Sequence, residues 1–173
     1  MYSHIIHLAD IHIRTNRQDE YLSVFKNLFE SIRVEATTPL ILLCGDIIHN
    51  KARITPEVIK LTNFLLNGLA NIGKVILISG NHDLNENNGN REKFLEVLNK
   101  HSNIDYLSKS NEYVYDNVTV GVSTLDDKKL IAHHQIKNNT QLTVAMGHFM
   151  LKEVGLPGYD REVSDFEGFD YRS

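Results

Sequence analysis

Four short clusters of ionisable and amide side chains carry the chemistry this chain could do. Asp10-Ile11-His12 follows the run His4 to Ala9. Gly45-Asp46-Ile47-Ile48-His49 follows Leu40 to Cys44, Gly80-Asn81-His82-Asp83 follows Lys74 to Ser79, and Gly147-His148 follows Leu142 to Met146. An Asp-x-His pair leaving a strand can put one carboxylate oxygen and one imidazole nitrogen on the same cation. Asp46 has two oxygens and can bridge two ions, and Gly45 before it allows a sharp turn and leaves room for a metal. Asn81 would add an amide oxygen and His148 a further nitrogen. This mixed oxygen and nitrogen set suits manganese, iron or zinc before calcium or copper. Two such cations about 3.5–4 Å apart can clamp the oxygens of an in-line displacement at phosphorus and activate a bound water. His82 would then stabilise the transition state or protonate the leaving oxygen, with Asp83 holding its imidazole in one tautomer.

Each cluster has an ordinary alternative. Asp-x-His also arises as a capping aspartate beside a surface histidine, Gly-Asp as a plain turn, and Gly-Asn-His-Asp as a polar turn. Gly-His could be a core or turn histidine. The four in this order, always at the end of an apolar run, form the specific signal.

The elements that must position them read as an alternation of strands and helices. Tyr21, Phe25, Leu28, Phe29 and Ile32 recur at helical spacing after Asp19. Thr55-Pro56 is a helix start, and Val58 to Ile72 carries more apolar surface than one stripe requires. That surface is covered either by the helix's own domain or by another subunit. Residues 84–90 read as a polar loop, Phe94 to Leu98 as a short helix and Lys128 to His134 as another. Asn103 to Ser123 reads as two or three short strands turning at Asp116-Asn117, and the tail from Lys152 as loop. Strand–helix–strand order predicts an α/β fold with parallel pairing in its first half, where ligands collect beyond the carboxyl ends of the strands. His4 and His7, alternating with apolar residues, read as satisfied structural histidines. His101 reads as a surface residue and His133-His134 as a helix-end pair.

A length of 173 residues fits one domain, 1–173, with a sizeable core. No run of about 18 apolar residues exists, so a membrane span is not expected. Met1 leads almost directly into a strand, which leaves no room for a signal peptide. Cys44 is the only cysteine, so no internal disulfide forms, and its place in an apolar run suggests a core residue. Together these predict a cytoplasmic location, or a nuclear one in a eukaryote. The formal net charge of −4 argues against a polycation that coats nucleic acid. It leaves room for an enzyme whose metal cations offset carboxylates at its site.

The clusters resemble the calcineurin-like metallophosphoesterases, whose pattern runs Asp-x-His, Gly-Asp-x-x-Asp/His, Gly-Asn-His-Asp/Glu, a lone His and Gly-His-x-His. Asp10/His12, Gly45-Asp46/His49, Gly80 to Asp83 and His148 match its first four blocks. His-Leu-Ala-Asp-Ile-His at 7–12, and His49 in place of Asp, make the chain most similar to the SbcD/Mre-type double-strand-break repair nucleases. The resemblance implies an αββα sandwich and two divalent ions, manganese first with magnesium, iron or zinc as alternatives. It assigns Asp10, His12 and Asp46 to one ion and Asp46, Asn81 and His148 to the other. It makes His82 catalytic, Asp83 its partner, and His49 a residue that positions the phosphodiester. It further implies DNA as substrate, a homodimer for which the helix from Pro56 to Ile72 is a candidate surface, and an SMC-like ATPase partner of SbcC type. No Gly-His-x-His follows His148, and neither a capping domain nor an ATPase-binding tail follows. The expectation is therefore a nuclease core cut short, with three protein ligands per metal and reduced activity in this chain alone. Two other readings stand beside it: a phosphoesterase for small nucleotides or phosphoproteins, and a non-catalytic fragment that binds a partner or dimerises.

Overall fold

The computed structural model describes residues 1–50, 54–84, 95, 101–126, 129–138, 140–151 and 162–163. The chain divides into two compact units, Met1–Tyr106 and Leu107–Ser173. The first runs β1 (His4–Leu8), α1 (Gln18–Glu35), β2 (Pro39–Cys44), α2 (Pro56–Ala70), β3 (Lys74–Ile78) and β4 (Ile104–Tyr106). Its four strands form one sheet in the order β1-β2-β3-β4, and every neighbouring pair is parallel. Apolar runs interrupted by amphipathic helices produce this arrangement, because each helix crosses back over the sheet and covers it. The expected α/β class with parallel pairing is what the first unit adopts.

β2 is buried along its whole length, as befits six consecutive residues without a charge. β1 lies at the edge of the described sheet, where His4 and His7 are exposed and His4 Nδ1 bonds Ser3 Oγ at 3.0 Å. Ionisable side chains on an edge strand discourage pairing with another chain. His101 is half-buried, and its Nδ1 accepts the Asn103 amide at 3.2 Å.

Pro56 opens α2 at a position where its missing N–H costs nothing. Val58, Leu61, Leu65, Leu66 and Leu69 are buried, each contributing about 1.5–3 kcal/mol of apolar burial. Phe64 packs on Phe29 of α1 with ring centroids 5.7 Å apart. Only Pro56, Lys60 and Asn67 of α2 are exposed, so its excess apolar surface is covered within the chain itself. Phe25, Phe29 and Ile32 of α1 join the same core as Ile41, Leu43, Val75 and Leu77 of the sheet. Cys44 is a free, buried thiol, as its apolar setting predicted.

The second unit begins with β5 (Asn111–Tyr115) and β6 (Val118–Ser123), an antiparallel pair joined at Asp116-Asn117. β7 (Leu142–Gly147) adds to β6 in parallel. The helix expected over Lys128 to His134 is absent from its described part except for one 3-10 turn at His133–Gln135. Short β8 (Met150–Leu151) and β9 (Glu162–Val163) pair in parallel, so residues 162–163 are strand where loop was expected. Of the helix expected over Phe94 to Leu98 only Leu95 is among the described residues, and it is helical and buried. The rest of the 84–90 loop beyond Leu84, and the remaining tail, lie outside them. Among the described residues no helix is long and apolar enough to cross a membrane.

Candidate metal centre

The parallel register sets Leu8 beside Leu43 and Leu43 beside Leu77, so β1, β2 and β3 release their following loops at one edge of the sheet. The first two loops then continue side by side. Asp10 N–H donates to Gly45 O at 3.2 Å, His12 N–H to Asp46 O at 2.9 Å and Ile13 N–H to Ile47 O at 2.9 Å. His49 N–H returns to Ile13 O at 3.1 Å, and Tyr21 Oη of α1 donates to His12 O at 2.8 Å.

The backbone is strained at the residues expected to do chemistry. Asp10, His12 and Asp46 hold φ values of 55°, 49° and 54°, and Gly45 holds 87°. Left-handed φ is uncommon outside glycine, and each such residue costs on the order of 1–3 kcal/mol unless its surroundings impose it. The inter-loop hydrogen bonds impose it here. The consequence is that Asp10, His12 and Asp46 turn their side chains toward one another: His12 Nε2 lies 3.7 Å from Asp10 Oδ1 and 3.6 Å from Asp46 Oδ2.

Those distances are too long for hydrogen bonds. A cation bonded to its donors at about 2.0–2.2 Å spaces adjacent donors about 3–3.6 Å apart, close to what is observed. Asp46 is buried, with a side chain only 5% exposed, and its Oδ1 accepts the His82 amide at 2.9 Å. Its Oδ2 faces His12 and, at 4.0 Å, His82 Nε2. Among the described residues, His12 Nδ1 and His49 Nδ1 are buried without a hydrogen-bond partner. A buried orphan of this kind requires an explanation, and a substrate oxygen supplies one, whereas the gap between His12 Nε2, Asp10 Oδ1 and Asp46 Oδ2 is one a cation would fill. The donor set therefore fits a divalent cation.

Gly80 brings the third loop against the second. A Cβ there would overlap Asp46 Oδ1 and the Asp46 backbone nitrogen. Because none is present, the rings of His12, His49 and His82 gather: centroids are 4.9 Å apart for His12–His82, 5.4 Å for His12–His49 and 5.7 Å for the stacked His49–His82 pair. One ring nitrogen from each lies within 4.8 Å of the others. Burial, then the nearby Arg14 charge and the two neighbouring imidazoles, lower the His49 pKa below its ordinary 6.5, against a smaller upward pull from Asp46. Asn81 sits half-buried in the turn between Gly80 and His82. His148 directly follows β7 in the second unit and is half-buried.

The expected pairing of Asp83 with the His82 imidazole is corrected. Asp83 turns away from that ring and accepts three backbone amides: Gly80 at 2.9 Å, Ile48 at 3.0 Å and Ile47 at 3.3 Å. It thereby ties the β3 loop to the β2 loop. Burial raises its pKa, although the three amides pull the other way. His82 Nδ1 instead bonds the His49 carbonyl oxygen at 2.8 Å. A carbonyl only accepts, so Nδ1 carries the proton, and Nε2 is the atom free to take or give one. Sequence reasoning missed Tyr21, whose helical spacing marked it only as a core residue.

Residues 3–171 match the family model of the calcineurin-like phosphoesterases. The chain is 32% identical over 189 residues to the uncharacterized protein R555 of Acanthamoeba polyphaga mimivirus, a match that covers 97% of this chain and 14% of that protein. The chain thus spans about a seventh of the length of the relative it matches. The crystal structure of Pseudomonas putida nuclease MPE aligns with a TM-score of 0.44 and 19% identity, over 86% of this chain and 64% of that one. With the family model covering nearly its whole length, the chain belongs to the calcineurin-like phosphoesterases, a family of metal-dependent phosphoester hydrolases.

Proposed function

We propose that this chain is the nuclease core of a DNA-processing phosphodiesterase of the SbcD/Mre type, working with manganese. The observation that carries the reading is the gathering of His12, His49 and His82 beside Asp46. A carboxylate at position 49 would repel the oxygens of an incoming phosphate. The His49 imidazole can donate to one of them, and its Nδ1 has no protein partner among the described residues. That suits a phosphate oxygen of the substrate, held without added negative charge in the site.

Asp10, His12 and Asp46 would hold one cation, and Asp46 with Asn81 would contribute to a second. When bound, such cations polarise the phosphoryl oxygens and lower the pKa of an attacking water. The remaining work falls to the chain's own groups. His82, with Nδ1–H fixed on the His49 carbonyl, would take a proton from solvent at Nε2 and pass it to the leaving oxygen, returning to the neutral ring. Asp83 keeps the loops that carry Asp46 and His82 at a constant separation. For the whole protein, the likeness of its clusters to SbcD/Mre-type nucleases adds a homodimer, an SbcC-type ATPase partner and a DNA-capping domain to the proposal.

The test is hydrolysis of linear duplex DNA with manganese, alongside Asp46→Asn. Release of nucleotides that requires the metal and disappears in the variant supports the reading. Undiminished release by Asp46→Asn, or none by the parent protein with manganese, magnesium, iron or zinc, refutes it.

A further inference from the structure

A cleft of about 500 Å³ opens beside His49 in the first unit. Its volume falls in the range of about 300–1,000 Å³ typical of small-molecule sites. Buried Ile13 and Val58 contribute apolar wall, and Arg14, Asn16 and Asn50 contribute exposed polar groups. Among the described residues that line it none is acidic, in a chain whose formal net charge is −4. Among its described residues the cleft thus offers the fixed positive charge of Arg14, amide groups and an apolar wall. Those are the requirements of a phosphorylated nucleoside: an anion, sugar hydroxyls or base edges, and a flat apolar ring.

His49 belongs to both the cleft and the metal centre, which fixes what reaches into the cleft. We infer that the cleft is the binding subsite for the nucleotide next to the scissile phosphate, with Arg14 contacting that nucleotide's own phosphate. Arg14 follows the Asp10-Ile11-His12 cluster by two residues, so the inter-loop bond from Ile13 N–H to Ile47 O holds it in fixed relation to the reacting centre. The guanidinium is suited to this because it is permanently charged and grips phosphate oxygens in a fork. The inference rests on the phosphodiesterase reading and adds a preference: substrates with a neighbouring phosphate over isolated diesters.

The test compares a thymidine tetranucleotide with bis(4-nitrophenyl) phosphate, which has one phosphate and no neighbour. Arg14→Gln should lower the ratio of kcat/KM on the tetranucleotide to that on the nitrophenyl diester by at least about tenfold, the scale of one charge-assisted contact. Arg14→Lys should restore part of that ratio. A ratio unchanged within about twofold overturns the subsite, even with both substrates turned over. A parent protein that hydrolyses neither diester indicts the phosphodiesterase reading instead. Binding then decides the subsite on its own. With manganese present, Arg14→Gln should weaken binding of a fluorescent tetranucleotide and reduce the slope of log affinity against log salt by about one. Equal binding and equal slopes overturn it. Addition of thymidine monophosphate as competitor separates a strand subsite from one for free nucleotides: weaker competition than by the tetranucleotide supports the former, and equal competition overturns it.

Discussion

Replacing Asp83 by alanine removes the acceptor of three buried amides, those of Gly80, Ile47 and Ile48. A buried donor left unpaired costs about 1–3 kcal/mol. The 3.3 Å bond from Ile47 is the longest and belongs at the low end. Part of the loss is offset, because burial already penalises the Asp83 carboxylate and raises its pKa. Water entering at the loop edge recovers a further share, which leaves a net cost of about 3–5 kcal/mol. In a chain of this size 1 kcal/mol moves Tm by about 2–4 °C, so Asp83→Ala should melt at least about 6 °C below the parent. Asp83→Asn should fall between the two. Its single carbonyl oxygen can keep the Gly80 and Ile47 amides that now share Oδ2, while its NH2 group opposes the Ile48 amide, at a cost of about 1–3 kcal/mol. Thermal unfolding in EDTA, followed by circular dichroism, gives both values without contribution from metal. An Asp83→Ala protein that melts within about 1 °C of the parent and loses only turnover would refute the loop-tie role, and would return Asp83 to partnership with His82.

Gly80→Ala forces a Cβ into Asp46 Oδ1 and the Asp46 backbone, so it should destabilise by about 1–3 kcal/mol or more and separate His82 from Asp46; denaturant unfolding and metal titration check the two effects. Saturating manganese should raise Tm, because a ligand at 100 times its Kd adds about 2.7 kcal/mol, and Asp46→Asn should abolish the gain. His49 has a folded pKa below its unfolded 6.5, so between those values the unfolded chain binds the extra proton. Stability in EDTA should therefore fall as pH drops below about 6.5, and His49→Asn should flatten that part of the profile, as read from urea midpoints.

The sheet was legible because uninterrupted apolar runs such as Leu40 to Cys44 need burial on both faces, and parallel strands provide it. Pro56 and the spacing from Tyr21 to Ile32 announced the helices for equally local reasons. Placement of Asp10, His12, Asp46 and His82 at the ends of their strands followed from the same runs. Their left-handed backbone did not, since Asp10 and His12 acquire it only when the β1 loop is laced to the β2 loop. Asp83 was misread because adjacency along the chain suggested the His82 ring, whereas the turn brings it to amides contributed by residues 36 and 35 positions earlier as well as to Gly80. The exposure of His4 and His7 was not legible, because nothing in their own run reveals that β1 is an edge. Among the described residues of the expected Lys128 to His134 helix, the apolar Leu130 and Ile131 lie outside any helix and only His133 and His134 enter a 3-10 turn, held by Gln135 Oε1 on the Ala132 amide.

Anomalous diffraction at the manganese edge, from crystals of the protein grown with the metal, tests the central claim most directly. A peak is expected within coordination distance, about 2.0–2.3 Å, of His12 Nε2 and of carboxylate oxygens from Asp10 and Asp46. Manganese bound elsewhere, with nothing between those three side chains at saturating metal, would contradict it.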